Sequence, residues 1–519
     1  MKTIIIKLRN IWKYCIGKQV VAKIIFITLG ITSTVWFLIR VIPKPSRATY
    51  PCMQASAPIM SGFVIYLLTL TGSMAAYRKA RLNFRSAKYF VAAVFSVIAM
   101  IGSVAFFVQN PGNVFAVDTP EWIIKANQPV GIARGINPGS VVWVHNPKVA
   151  KWDGKNGFWW DDANTSQEET NRMMDNTITT LTGEKNLSKA WKVLFVYFNK
   201  TKKGKGSDYQ PNQKIAIKIN ENNNSAQTNS NEINASPQVT LALLRTIIRD
   251  AHVPQKCITV FDASRFITDN IFDKCHKEFP EVIFVDNVGG NGRVKSTYID
   301  HALPYSADNG KLATGLATCA VEADYLINVA LLKGHVGQGV TLCGKNYYGV
   351  TSINNDWHKN AHDNFNQDRQ GNPKYMTFVD FLGHKDLGEK TMLFLIDGLY
   401  GAKLVNGIPT PKWKMAPFNN QWPCSLLASQ DGVAIDAVGL DFLRSEWPDM
   451  LDIKFSDQYL IEAALANNPP SKTVYDPEKD GTRCTSLGVM EHWNNAKEKK
   501  YSKNLGKRNG IELIQKTLE

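Results

Sequence analysis

The chain is short of acid. Its 45 Asp and Glu stand against 60 Lys and Arg over 519 residues, a formal charge of +15 with the histidines neutral. Partners of opposite sign are therefore expected: nucleic acid, an anionic membrane surface or acidic small molecules. No RNP-type, zinc-finger or helix-turn-helix pattern is present, which argues against nucleic acid. Cysteine is sparse for the length, eight residues, and none forms a CxxC. That excludes a disulfide scaffold and supplies no ligand spacing for an iron–sulfur cluster. Cys257 and Cys275 fall on neighbouring predicted elements, either as a pair or as free buried thiols. No internal repeat of solenoid period and no GxGxxG fingerprint occur. With 44% hydrophobic and 20% charged residues, a disordered or fibrous chain is excluded as well.

Long apolar runs, by contrast, crowd the first 117 residues. Residues 24–39 lie uncharged between Lys23 and Arg40, residues 48–77 hold an apolar core at 59–76, and residues 89–117 hold one at 90–108. Each approaches the ~20 residues that span a bilayer. They predict three transmembrane helices near 20–42, 58–77 and 89–109, the competing reading being buried helices of a soluble domain. A cleaved signal peptide is a single shorter stretch. Lys2, Lys7, Arg9, Lys13, Lys18 and Lys23 precede the first run, and Arg78, Lys79, Arg81, Arg85 and Lys88 separate the second from the third. The positive-inside rule puts those flanks in the cytoplasm and everything after Val117 outside. The expectation is a multi-pass protein of the inner membrane. It has an extracytoplasmic α/β domain at 118–490 and a solvated basic C-terminal segment at 491–519. The runs hold no acidic residue or histidine, and three spans give no inverted repeat, which disfavours a transporter.

Beyond the third run, short Val- and Ile-rich stretches alternate with helical patterns. This is the signature of a mostly parallel, Rossmann-like α/β sheet with helices on both faces. Strands are expected at 140–145, 191–198, 214–220, 257–262, 282–286, 325–331 and 391–397. Helices are expected at 267–279 and 432–443, and from Ser236 with Pro237 at its first position.

Ligands of such sheets bind at the carboxyl ends of strands. There the sequence delivers His145, then Lys218 and Asn220, then Asp262, Ser264 and Arg265, and later Asp397. The stretch 326–349 is richest. Asn328 lies in the strand, Lys333 and His335 on a glycine-rich loop, and Lys345 and Asn346 follow. Thr341 is expected to begin a helix whose amides hold a carboxylate or phosphate. Asp431 opens the last helix, where an N-cap role competes with ligand binding. Lys218, inside an otherwise apolar strand, needs a partner or a ligand. Residues 339–346 approach a Walker A pattern, but Asn346 stands where the metal-binding hydroxyl belongs. A divalent metal remains open, with His145, His358 and His362 as candidate ligands; the HxxxH pair is equally a solvated helix face.

Lys218-Ile219-Asn220, Ser236-Pro237-Gln238-Val239, Asp262-Ala263-Ser264-Arg265, Leu332-Lys333-Gly334-His335, Gly344-Lys345-Asn346, Asp397-Gly398-Leu399-Tyr400-Gly401 and Asp431-Gly432-Val433-Ala434 together resemble the domain of unknown function 362 family. The likeness covers roughly residues 132–447. Ile219 and Gly432 stand where many relatives have proline. The family implies the α/β fold and carries no assigned activity. Some relatives bear ferredoxin-like modules, for which this chain lacks the cysteines. More faintly, the lysine–histidine block resembles the nickel-dependent lactate racemase superfamily, which implies proton or hydride transfer at a 2-hydroxy acid.

Two readings follow. In one, the chain is an isomerase-like acid–base enzyme. His335, Lys333, Asp262 and Asp397 are catalytic, and Lys218, Asn220, Ser264, Arg265, Asn328, Lys345, Asn346 and Asp431 hold a small anion. In the other, the same cleft of a membrane-tethered binding or assembly protein holds a ligand or cofactor without turnover.

Overall fold

The computed structural model of the chain describes residues 28–29, 31–39, 43, 64, 78–79, 82 and 124 onward, apart from 223–229, 336–338, 353–367, 369–370, 405–406 and 450–454. Two compact units divide the chain, Met1–Thr119 and Pro120–Glu519. In the first, residues 31–39 are helical, and Ile31, Val35, Trp36, Leu38 and Ile39 are exposed. Of the expected spans, that near 20–42 is described at residues 28–29 and 31–39 and that near 58–77 at residue 64, while that near 89–109 lies outside the described residues. Among the described residues no helix is long and apolar enough to cross a membrane.

The second unit is mixed α/β around a ten-stranded sheet. Its strands are β1 (Ser140–His145), β2 (Ile215–Lys218), β3 (Ile258–Asp262), β4 (Ile283–Asp286), β5 (Val294–Lys295), β6 (Tyr325–His335), β7 (Gly339–Thr341), β8 (Thr391–Ala402), β9 (Ser425–Ser429) and β10 (Glu512–Thr517). Across the sheet the order is β10-β1-β9-β8-β6-β2-β3-β4-β5, with β7 paired to β6 as a hairpin. Every neighbouring pair is parallel except β8–β9, β9–β1 and β6–β7. All strands but β9 and β7 therefore end at one edge.

Side-chain alternation along the strands feeds two cores. In β8, Leu393, Leu395 and Leu399 join one core, while Phe394 and Ile396 join the other. The first is covered by α1 (Gln167–Thr182), α2 (Leu187–Lys203), α3 (Pro237–Arg245) and α4 (Asp269–Glu278). The second is covered by α5 (Thr377–Gly383), α6 (Gly432–Glu446) and α7 (Asp457–Ala464).

Local chemistry starts these helices. The Ser236 hydroxyl accepts the Val239 N–H and Pro237 occupies the first helical position of α3, as expected. Residues 191–198, expected as a strand, lie inside α2. Ala190, Trp191, Leu194, Phe195 and Phe198 are buried at helical spacing, and the Asn186 side chain caps the start. The segment after 491 is no solvated tail. Its β10 adds to the edge beside β1, burying Leu513. Cys257 and Cys275 are both buried free thiols.

Candidate active site

The site grows from one buried lysine. Strand β2 carries Lys218 to the carboxyl edge, between Phe261 of β3 and Asn328 of β6 in register. Its ammonium donates to Asp262 Oδ2 at 3.0 Å, Asn346 Oδ1 at 2.9 Å and the Ile219 carbonyl at 2.5 Å. Both members of the Lys218–Asp262 pair are buried. Burial lowers the Lys218 pKa and the Asp262 charge opposes that shift. Asp262 is held further by the Glu221 N–H, the Ser264 N–H and the Ser264 hydroxyl.

Asn346 locks the arrangement from the other side. Its Oδ1 also accepts from Asn220 Nδ2 at 3.0 Å, and its Nδ2 donates to Asn328 Oδ1 at 2.8 Å and the Val329 carbonyl at 3.1 Å. Asn328 returns a bond to the Cys343 carbonyl. Asn328 and Asn346 are thus consumed in positioning Lys218. Gly349 closes the roof: a Cβ there would lie 2.6 Å from Lys218 Nζ and 2.8 Å from Asp262 Oδ1. Its carbonyl accepts the Ala263 N–H, which ties this turn to the end of β3.

Strand β6 runs longer than expected, to His335, so Lys333 and His335 sit in the β6–β7 hairpin rather than on a loop. Thr341 ends β7, and the short helix that follows is Cys343–Asn346. Its first amides hold an anion of the chain's own: Cys343 and Gly344 N–H both donate to the Asp436 carboxylate at 2.8 Å. The expected ligand site at that helix start is therefore filled. What the helix delivers is Lys345.

Around the sealed pair stand groups with less to hold them. The half-buried Lys345 has no hydrogen bond or ion pair among the described residues; its ammonium lies 5.8 Å from the Tyr348 ring centre. Burial, then the charges of Arg265 and Lys218, bring its pKa down to about 7. The Arg265 guanidinium donates to the Ser264 carbonyl and, among the described residues, pairs with no carboxylate. Lys333 is buried, donates to Asn222 Oδ1 at 2.7 Å, and is pushed well below its ordinary pKa by burial and by Lys345. Glu221 is buried, and among the described residues neither of its carboxyl oxygens has a hydrogen-bond partner. Burial and the neighbouring Asp262 charge raise its pKa well above the usual range.

Other expected site residues are placed elsewhere or committed otherwise. Register puts His335 seven positions past the Asn328 level that faces Lys218, on the order of 20 Å of strand at ~3.3 Å per residue. Asp397 accepts the Ser236 and Leu399 N–H groups, one at each oxygen, fixing the entry to α3. Asp431 lies at the opposite edge, because it follows the antiparallel β9. There it caps α6 through Val433 and Ala434 and accepts from Arg134 and Val489. The ligand role expected for Asp431 does not survive that placement. His145 is a core histidine, hydrogen-bonded to the Pro423 carbonyl and packed against Trp143 and Phe418. His358 and His362 lie outside the described residues. No group of three or more His, Cys, Asp or Glu fit for a metal occurs among the described residues.

Sequence reasoning missed Glu221, Asn222 and Gly349. Glu221 directly follows Asn220 and reads as the start of a polar loop; its position one residue past a lysine-bearing strand end was the available signal. Gly349 gave none, since its role depends on a contact across the fold.

Neither a curated protein nor a solved structure matches the chain, so the fainter likeness to lactate racemases rests on its residues alone. The stretch carrying Lys218, Asp262, Lys333 and Lys345 does have a match: residues 215–441 fit the family model of the Domain of unknown function (DUF362), the family this chain resembles.

Proposed function

We propose that the chain is a membrane-anchored protein whose extracytoplasmic unit binds a small anion beside the Lys218–Asp262 pair and transfers a proton on it. One observation carries this reading: Lys218, Lys333, Lys345 and Arg265 gather around Asp262 and Glu221, of which Asp262 is already paired. Burial favours the neutral form of Glu221. Burial lowers the lysine pKa values as well, so an entering carboxylate or phosphate draws protons back onto the cluster and is held by the charge it restores. Asn220, Arg265, Lys345 and Tyr348 are half-buried and form the rim through which such a ligand enters. Proton exchange falls to Lys345, whose pKa of about 7 suits work near neutral pH, while burial raises that of the neighbouring Glu221.

Anchoring is supported by the three apolar runs, their basic flanks and the exposed apolar side chains of residues 31–39. Titration calorimetry of the full chain in detergent, with inorganic phosphate and lactate, tests the binding. At least one anion binds with an affinity that falls as salt rises, and Lys345→Gln or Arg265→Gln weakens it roughly tenfold, the loss of one charge-assisted contact. Absence of heat from both anions, or binding indifferent to both substitutions, contradicts the reading. Proteolysis of intact spheroplasts tests the topology: cleavage within residues 120–519 is expected, and full protection contradicts it.

A further inference from the structure

Lys345 is an unusual place for a cation. Its ammonium has no carboxylate partner, hydrogen bond or ion pair among the described residues, and the charges that act on it most strongly are those of Arg265 and Lys218. Asp262, the carboxylate within range, already holds the Lys218 ammonium, two backbone amides and the Ser264 hydroxyl. A residue serving only as an anion anchor keeps its charge. Lys345 is set so that about half of it is the free amine at neutral pH. Its half-buried position leaves that amine reachable from the rim, while Lys218 and Lys333 are sealed. A desolvated lysine crowded by other cations is the arrangement that makes an amine nucleophilic.

We propose that Lys345 forms an imine with a small 2-oxo acid, whose carboxylate is held by Arg265 on the same rim. This inference rests on the anion-binding reading above and narrows its substrate class. The Lys345 nitrogen adds to the carbonyl carbon, making a C–N bond and a carbinolamine. The C–O bond then breaks, and the two protons of the amine leave with that oxygen as water. No electrons are gained or lost, and hydrolysis reverses the step. The imine withdraws electrons from the adjacent carbon, which acidifies a proton there.

The test uses the full chain in detergent, pyruvate as the carbonyl probe, and sodium cyanoborohydride, whose hydride traps the imine as a stable secondary amine. Peptide mass spectrometry then locates the adduct. At pH 7 Lys345 is expected to be labelled at least roughly tenfold faster than the exposed Lys192 and Lys200, because its free-amine fraction is far larger. Inorganic phosphate is expected to slow that labelling, and the Lys345→Arg variant to lose it. Labelling of Lys345 no faster than that of the exposed lysines, with phosphate still bound, overturns the imine and leaves the anion site standing. Failure to bind either phosphate or pyruvate overturns both. The wild-type rate comparison needs no variant, so a misfolded substitution cannot obscure the outcome.

Discussion

Replacing Lys218 with methionine isolates what the buried ion pair does. Methionine keeps an unbranched stem of similar reach, so little cavity forms; what disappears is the ammonium and its three bonds, to Asp262, Asn346 and Ile219. Asp262 keeps the Glu221 and Ser264 donors but loses its countercharge while remaining buried. An uncompensated buried charge of this kind costs about 3–5 kcal/mol. Adding Asp262→Asn removes the stranded charge, and the double variant should recover about 1–3 kcal/mol of that loss. Urea unfolding of the full chain in detergent reads both, because Trp143, Trp159, Trp191 and Trp413 are buried throughout the 120–519 unit and report it by fluorescence. The reasoning is refuted if Lys218→Met stays within about 0.5 kcal/mol of wild type, the range of an ordinary surface change. It is equally refuted if the double variant loses the sum of the two single effects.

Other outcomes follow from the same geometry. Gly349→Ala drives a methyl into the Lys218–Asp262 pair; it should lower stability by about 1–3 kcal/mol and abolish calorimetric anion binding, whereas unchanged binding contradicts the packing argument. Asp431→Ala strips the α6 cap and orphans the Arg134 and Val489 amides, costing about 2 kcal/mol or more while leaving anion affinity within twofold. His492 lies between Asp441 and Asp457; although burial opposes its charge, these carboxylates raise its pKa from 6.5 to about 10. Folding thus gains from its proton fully below pH 6.5, and the gain fades as pH rises toward 10, by at most ~5 kcal/mol. His492→Gln should flatten that slope in urea unfolding between pH 7 and 10, and an unchanged slope assigns it elsewhere. Deleting residues 511–519 bares the edge of β1 and should yield aggregating protein by size exclusion; a monodisperse, stable truncation contradicts the role of β10.

Much of the parallel sheet was legible because buried strands announce themselves as Val- and Ile-rich runs: Ser140–His145 was read to the residue, and β2, β3 and β4 within a few. Periodicity failed at α2. There Trp191 and Phe198 are large enough for their eight-residue stretch to pass for a buried strand, and the capping Asn186 lies outside it. It failed again at β10, where Lys516 and the basic stretch before it disguise an edge strand. Strand direction was invisible, and that misplaced Asp431: nothing local distinguishes the end of the antiparallel β9 from the end of a parallel neighbour. Within the site, Lys218 and Asp262 were legible as polar residues closing apolar strands. Asn328 and Asn346 were found as polar positions, but their work is to hold Lys218, a role decided by a contact across 128 residues of chain. Glu221 escaped because burial, not sequence, makes it unusual.

The most direct test is crystallographic. Crystals of the protein soaked in sodium bromide and recorded at the bromine edge locate anions by their anomalous signal. The account predicts a strong site bounded by Lys345 and Arg265 on the rim of the Lys218–Asp262 pair, displaced when phosphate is added. Bromide bound at surface lysines alone, with that rim empty of anomalous density, would contradict it.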